Sequence, residues 1–291
     1  MSNEQPILRT DRPPFVCMRK RKPELTARDF TACFRQLARI PQRLSTCYSL
    51  LAQQQGFVNE TDALHRVCLS LAHNQDAGIG SDPQVGYHNV QHVSEVLLAA
   101  HFIGLLLELP KKQHHLLLLA ALAHDYDHDG GVNGERRFHL ERHAINQVSP
   151  CLQAEGVLPD TQQQLAAMIL TTEIVHGLPF ARAWFHTWFN GAEAPDLALP
   201  APELACLTTD STTTYLAIAL SEADALASVG LGRSYAELQL RRLSLEWQKP
   251  LGKKDLCNYL NKGFGQFLLA TYFTPNLERL KVSLRQSMHC A

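Results

Sequence analysis

The sequence predicts an all-α fold, a compact multi-helix bundle, and three observations carry that expectation. Leu, Ala and other apolar residues recur at three and four positions through most of the chain, which is the spacing of one helix face. Leu is far commoner than Val and Ile together, and no alternating β-branched segment persists. Glycine and proline clusters punctuate the periodic stretches instead of interrupting them.

Taken in order, residues 1–27 carry Pro6, Pro13, Pro14 and Pro23 and the basic run Arg19-Lys20-Arg21-Lys22 without sustained periodicity, and read as a flexible arm. Helical spacing then runs from Asp29 to Gln55 and from Asp62 to His73. The following helices are expected at Val90–Leu109, Lys112–Asp125, Glu141–Gln153, Thr161–His176, Glu203–Ala227, Tyr235–Trp247, Lys253–Phe273 and Asn276–Gln286. Gly130-Gly131, Gly156 with Pro159, the proline-rich stretch from Gly191 to Pro202, Gly230 with Gly232, and Pro250 with Gly252 separate them as loops. No repeat of fixed period is present. One helical domain is therefore expected over residues 28–288.

The composition narrows the function classes. Lys plus Arg number 27 against 28 Asp plus Glu, for a net charge of -1, so bulk electrostatics call for no nucleic-acid partner. The longest apolar stretches, near Val96–Leu109 and Leu116–Ala123, fall short of the roughly 20 residues a membrane span needs, so no membrane partner is expected. Eight cysteines lie scattered with no CxxC pair and no signal peptide ahead of them, which fits a reduced, cytoplasmic setting and leaves no thiolate zinc site. Histidine is distributed differently. Nine of the 14 fall between His88 and His143, and chemistry is to be sought there.

In Tyr87-His88-Asn89-Val90-Gln91-His92 the two histidines are four apart and share a face if helical. The run His124-Asp125-Tyr126-Asp127-His128-Asp129-Gly130-Gly131 follows the apolar stretch Leu116–Ala123, which should bury the helix that carries it. So dense a set of imidazoles and carboxylates at a buried helix end requires partners, because an unpaired buried charge costs several kcal/mol. A further isolated acid, Asp224, stands in the apolar helix Ala219–Ala227. His-x3-His with His-Asp and a distant Asp supplies the N and O donors of zinc, manganese or magnesium sites. Glu222, two positions from Asp224, should point elsewhere on that helix and is the weaker candidate.

This ordered series resembles the catalytic domain of the class I cyclic nucleotide 3',5'-phosphodiesterases, within the HD-domain metallophosphohydrolases. The likeness extends over about residues 84–280. Asn133 stands shortly after the second His of the HD motif, Leu140-Glu141-Arg142-His143 resembles the family's Leu-Glu-x-His, and Ile169–His176 resembles its Ile-Leu-x-Thr-Asp-Met-x-His. The resemblance implies that His92, His124, Asp125 and Asp224 hold a zinc-type ion, with Asp125 bridging to a second ion, magnesium or manganese. His128, Glu141 and Thr172 would contact the waters of that second ion. His88 would be the proton donor, oriented by Glu246. Tyr87, Asn261, Phe264, Gln266 and Phe267 would line the substrate pocket. The implied reaction is hydrolysis of cAMP or cGMP to the 5'-monophosphate: two ions neutralise phosphate oxygens and acidify a bridging water, and its hydroxide attacks phosphorus in line. The leaving 3'-oxygen takes a proton from the histidine.

Two departures from the family pattern keep other readings open. Asp224 is followed by Ala225-Leu226-Ala227-Ser228 where the family carries Asn-Pro. The family's Gln-x-x-Phe is matched in spacing by Asn261 with Phe264, and in distance to Pro275 by Gln266 with Phe267. The alternatives are an HD-type phosphohydrolase acting on another nucleotide or phosphate ester, and a nucleotide-binding protein without turnover.

Overall fold

The computed structural model describes residues 22–57, 62–82 and 84–289, and every regular element among them is helical. In chain order these are α1 (Pro23–Leu37), α2 (Arg43–Gln55), α3 (Ala63–Asp76), α4 (Val90–Leu106), α5 (Lys111–Ala123), α6 (His139–Ala154), α7 (Pro159–Leu170), α8 (Gly177–Asn190), α9 (Ser211–Val229), α10 (Arg233–Glu246), α11 (Lys253–Asn261) and α12 (Thr274–His289). Short 3-10 turns cover Pro202–Thr208 and Thr271–Phe273.

Three of these helices are apolar on every side, the pattern of a helix enclosed by others. In α4 every residue from Gln91 to Gly104 is buried, and α5 is buried from His114 to Ala123. α9 is buried over most of its length. α4 packs on both α5 and α9, while α2, α3, α7, α8 and α10 surround the trio. Among the described residues no single helix is long and apolar enough to cross a membrane.

Several expected boundaries move, each for a local reason. α1 begins at Pro23, inside the segment expected as an arm, because proline suits a first helical position and Phe30 and Phe34 bury the face that follows. Residues 1–21 lie outside the described residues. The periodic stretch from Asp29 to Gln55 is two helices, parted at residues 38–42 around Pro41, which cannot donate to the helix ladder. The expected helix Thr161–His176 stops at Leu170, and Glu173 then accepts the backbone N–H groups of Val175, His176 and Gly177 to start α8. α8 was not expected. Its signal is nonetheless present, since Phe180, Trp184 and Phe185 recur at helical spacing along it. The stretch Glu203–Ala227 divides into the first 3-10 turn and α9, which Asp210 caps by accepting from Thr212 N at 2.9 Å. Lys253–Phe273 is likewise broken: α11 ends at Asn261, and Gly263 follows in the left-handed region at φ 79°.

Candidate metal centre

The amino end of α4 carries the first histidine pair, and Asn89 explains its geometry. The Asn89 carbonyl oxygen accepts from Gln91 N at 2.9 Å and His92 N at 3.4 Å, capping the helix. Its amide donates to Val85 O and Gly86 O, which pins the approaching loop. His92 thereby sits inside the first turn of α4, and His88 sits just outside it. The second pair stands at the other end of its own helix: His124 is the residue that closes α5, and Asp125 follows in the turn.

These elements, with Asp224 from α9, bring four side chains together. His92 Nε2 lies 3.3 Å from Asp125 Oδ2, 3.1 Å from Asp224 Oδ1 and 3.4 Å from His124 Nε2. His124 Nε2 lies 3.1 Å from Asp125 Oδ2. Donors bound at about 2.1 Å to one tetrahedral ion stand about 3.4 Å apart, so these spacings are those of a ligand set contracted by a few tenths of an ångström. The contacts between imidazole and carboxylate are skewed, and Asp125 Oδ2 is buried without a hydrogen-bond partner. His124 Nδ1 lies 3.0 Å from Ala121 O, a contact that places the proton on Nδ1 and leaves the Nε2 lone pair facing the cluster.

The electrostatics agree with the donor set. Burial disfavours a charged His92, but Asp125 and Asp224 outweigh it and hold the imidazole up at about 10. Burial would likewise raise the Asp125 carboxyl, yet the charges of His124 and His88 keep it well below the usual carboxylate range. Two carboxylates beside two buried imidazoles, with Asp224 part-exposed on the open side, thus draw positive charge to the site, and a divalent cation supplies that charge without protonating the ligands. The residues present fit a metal ion.

A second group, His88, His128 and Glu246, also places donor atoms within 4.8 Å of one another. Its atoms are already committed. Glu246 accepts from Tyr87 N at 2.6 Å, His88 N at 2.9 Å and His88 Nδ1 at 2.5 Å. His128 Nδ1 accepts from Gly130 N at 2.9 Å, and the His128 ring stacks on His88 with centroids 3.9 Å apart. Burial is the largest single influence on Glu246 and acts upward, but the hydrogen bonds and charge of His88, with the backbone N–H groups of His88 and Tyr87, together leave its carboxyl lowered. The Nδ1 atoms of both imidazoles are thus engaged, His88 with Glu246 and His128 with Gly130, so His88 is a held imidazole beside the four-residue cluster.

The remaining sequence candidates divide. Tyr87 packs its ring 4.6 Å from that of His92 and places its hydroxyl 3.3 Å from Ser228 Oγ. Glu141 takes both its hydrogen bonds from Asn133 Nδ2, at 3.1 and 3.0 Å, and burial raises its carboxyl to about 7. Thr172 Oγ1 donates to Ile169 O. Neither Glu141 nor Thr172 bonds directly to the four-residue cluster. Glu222 turns away from it, as expected, and accepts the backbone N–H groups of Leu268, Leu269 and Ala270.

Phe264 and Gln266 line a narrow cleft with Arg182, Ser221 and Glu222, whereas Phe267 is core, 5.8 Å from the Phe273 ring, and Asn261 is exposed at the end of α11. Arg182 is the residue that sequence reasoning missed. It comes from α8, donates to Gly263 O, and bonds Gln266 Oε1 at 2.7 Å. Burial raises the Tyr259 phenol; the charge of Asp224 adds to that and the charge of Arg182 opposes it. No protein-family model matches the chain, and no curated protein matches it either.

Proposed function

We propose that this protein is a metal-dependent phosphodiesterase that hydrolyses a 3',5'-cyclic nucleotide to the nucleoside 5'-monophosphate. The observation that carries the reading is that neighbouring histidines have different partners. His92 and His124 face Asp125 and Asp224 with unshared nitrogens, while His88, four residues before His92, is withdrawn into a pair with Glu246.

Divalent ions held by His92, His124, Asp125 and Asp224, zinc with magnesium or manganese, would neutralise phosphate oxygens and make a water nucleophilic at neutral pH. The chain's own groups do the rest. Glu246 accepts a hydrogen bond from His88 Nδ1–H, so in the doubly protonated ring the Nε2–H is the group that would give its proton to a leaving oxygen, leaving a neutral imidazole still bonded to Glu246. Stacking on His128 holds the ring plane. Tyr87, whose backbone N–H also binds Glu246, closes the other side of that loop.

A second reading, hydrolysis of a different phosphate ester by the same centre, is favoured by one observation. The cleft beside Phe264 and Gln266 has a volume of only about 10 Å³, and Arg182 already occupies Gln266 Oε1. A purine would have to open it.

The test compares substrates in a His88→Ala variant. If His88 is the proton donor, the variant keeps its metal and loses on the order of 10² to 10⁴ in turnover of cAMP or cGMP. Its defect shrinks on a p-nitrophenyl phosphodiester, whose phenolate leaves without a proton. Equal losses on both, with metal released, would make His88 a ligand. Absence of wild-type turnover of cyclic nucleotides, with turnover of other esters, selects the second reading.

A further inference from the structure

Away from the metal centre, α1, α10 and α12 enclose a groove of about 580 Å³. Four arginines line it: Arg28 and Arg35 from one face of α1, Arg233 from the start of α10, and Arg279 from α12. The chain as a whole has a net charge of -1, so this concentration of like charge is a local feature. We propose that the groove binds the phosphoryl group of a small phosphorylated molecule.

Two of the four arginines are already engaged. Arg233 pairs with Glu237 at 2.8 Å and donates to Ser283 Oγ at 3.0 Å, and Arg279 pairs with Glu24 and donates to Asn276 Oδ1. These contacts brace the guanidinium planes against the walls. Arg28 and Arg35 are exposed and form no ion pair among the described residues. Two turns apart on α1, they stand about 10.5 Å from each other along the helix axis and face the braced pair across the groove.

Glu24 is the one acid in the lining, so positive charge there is left uncompensated. Planar guanidinium groups match phosphate oxygens in pairs, and the hydroxyls of Ser234 and Ser283 add neutral donors. A concave volume between about 300 and 1,000 Å³ suits a small molecule and not an extended polymer. No residue of the groove belongs to the histidine and carboxylate cluster.

The probe is pyrophosphate, titrated calorimetrically into the purified chain at an ionic strength of about 0.15 M. One-to-one binding in Asp125→Ala, weakened on the order of ten- to a hundredfold when Arg28→Ala/Arg35→Ala is added, is the expected result. Both arginine heads are exposed, so the double variant should unfold at the wild-type urea midpoint; Arg28→Lys/Arg35→Lys, which keeps charge but loses the paired donors, should bind between the two. Binding abolished by Asp125→Ala but retained in the arginine variant would place the anion at the metal centre and overturn the proposal. So would an absence of binding. Co-sedimentation with phosphatidylserine vesicles without pyrophosphate binding would assign the groove to a lipid surface and equally overturn it.

Discussion

Gly86 stands where the loop before α4 meets the last turn of α10, and replacing it with alanine tests whether that contact sets the position of His88. Its backbone is not in the left-handed region, so alanine brings no conformational strain there. The difficulty is space. A Cβ at Gly86 would lie 2.9 Å from Arg242 O and 3.3 Å from Glu246 N, both backbone atoms of a helix that cannot rotate aside. Ordinary contact distances require the loop and α10 to separate by about 0.5 Å, since carbon contacts are optimal near 3.5 Å or beyond. Overpacking of this kind costs about 1–3 kcal/mol, and the lower unfolded-state entropy of alanine returns about 0.4–1 kcal/mol. A net loss of about 1–2 kcal/mol in a urea titration is expected.

The same displacement acts on Glu246, whose carboxylate receives Tyr87 N, His88 N and His88 Nδ1. A misplacement of 1 Å near the reacting atoms costs about a hundredfold, so half of it should lower turnover of a cyclic nucleotide roughly tenfold. Metal content should be unchanged, because the close contacts of Gly86 are with Arg242 and Glu246 on α10 and with none of His92, His124, Asp125 and Asp224. A Gly86→Ala variant with the wild-type urea midpoint and wild-type turnover would refute the claim that this close approach positions His88.

Three further outcomes follow from the same structure. Chelation should lower the thermal midpoint of the wild type, removing about 2.7 kcal/mol of unfolding free energy relative to a metal concentration of 100 times Kd, and Asp125→Ala should retain no metal and show no response to chelator; a chelator-sensitive Asp125→Ala would contradict the ligand set. Glu95 is fully enclosed and accepts from Gln91, Tyr235, Gln239 and the part-exposed Arg242, so Glu95→Ala leaves the buried Tyr235 hydroxyl and Gln239 amide without their acceptor between α4 and α10 and should cost about 2–4 kcal/mol by urea denaturation, with a loss under about 1 kcal/mol counting against it. His101 and His114, stacked at 5.1 Å, are held neutral by burial at about 3 and about 4, below the ordinary histidine value of 6.5. The unfolded chain therefore binds more protons as pH falls, so stability from each imidazole is complete above pH 6.5 and is lost on the way down to those values. Between pH 7 and 5 this amounts to about 2 kcal/mol per histidine, so His114→Leu should lose about that much less stability than wild type over the interval, and parallel pH profiles would exclude the effect.

Helix formation in this chain is a local matter, and the sequence alone determined it. Apolar residues at three and four positions along α4, α5 and α9 define helices whatever they pack against, and Asn89 and Asp210 mark two starts by side-chain chemistry that acts within three residues. The ligand types are legible for a related reason: imidazole and carboxylate crowded at the ends of apolar helices need a charge partner. Contiguity of segments is less legible. Breaks at residues 38–42 and after Asn261 depend on whether the chain must turn to cover a neighbour, and the aromatic spacing of α8 went unread beside the Glu173 turn that initiates it.

Helical rotation separates Asp224 from Glu222 in the sequence, and the tertiary structure decides what each of the two faces meets. Asp224 and Glu222 share one helix, and about 200° of rotation separates their side chains. The packing of α9 against α4 points Asp224 at His92, while Glu222 meets the amides of residues 268–270. The same holds for His88, whose role turns on a carboxylate 158 positions away that arrives on α10. It holds as well for Arg182, which takes the oxygen of Gln266 across 84 positions. Spacing along a chain carries information over one or two helical turns. Contacts between helices are set by how their faces interlock, and that is a property of the whole bundle.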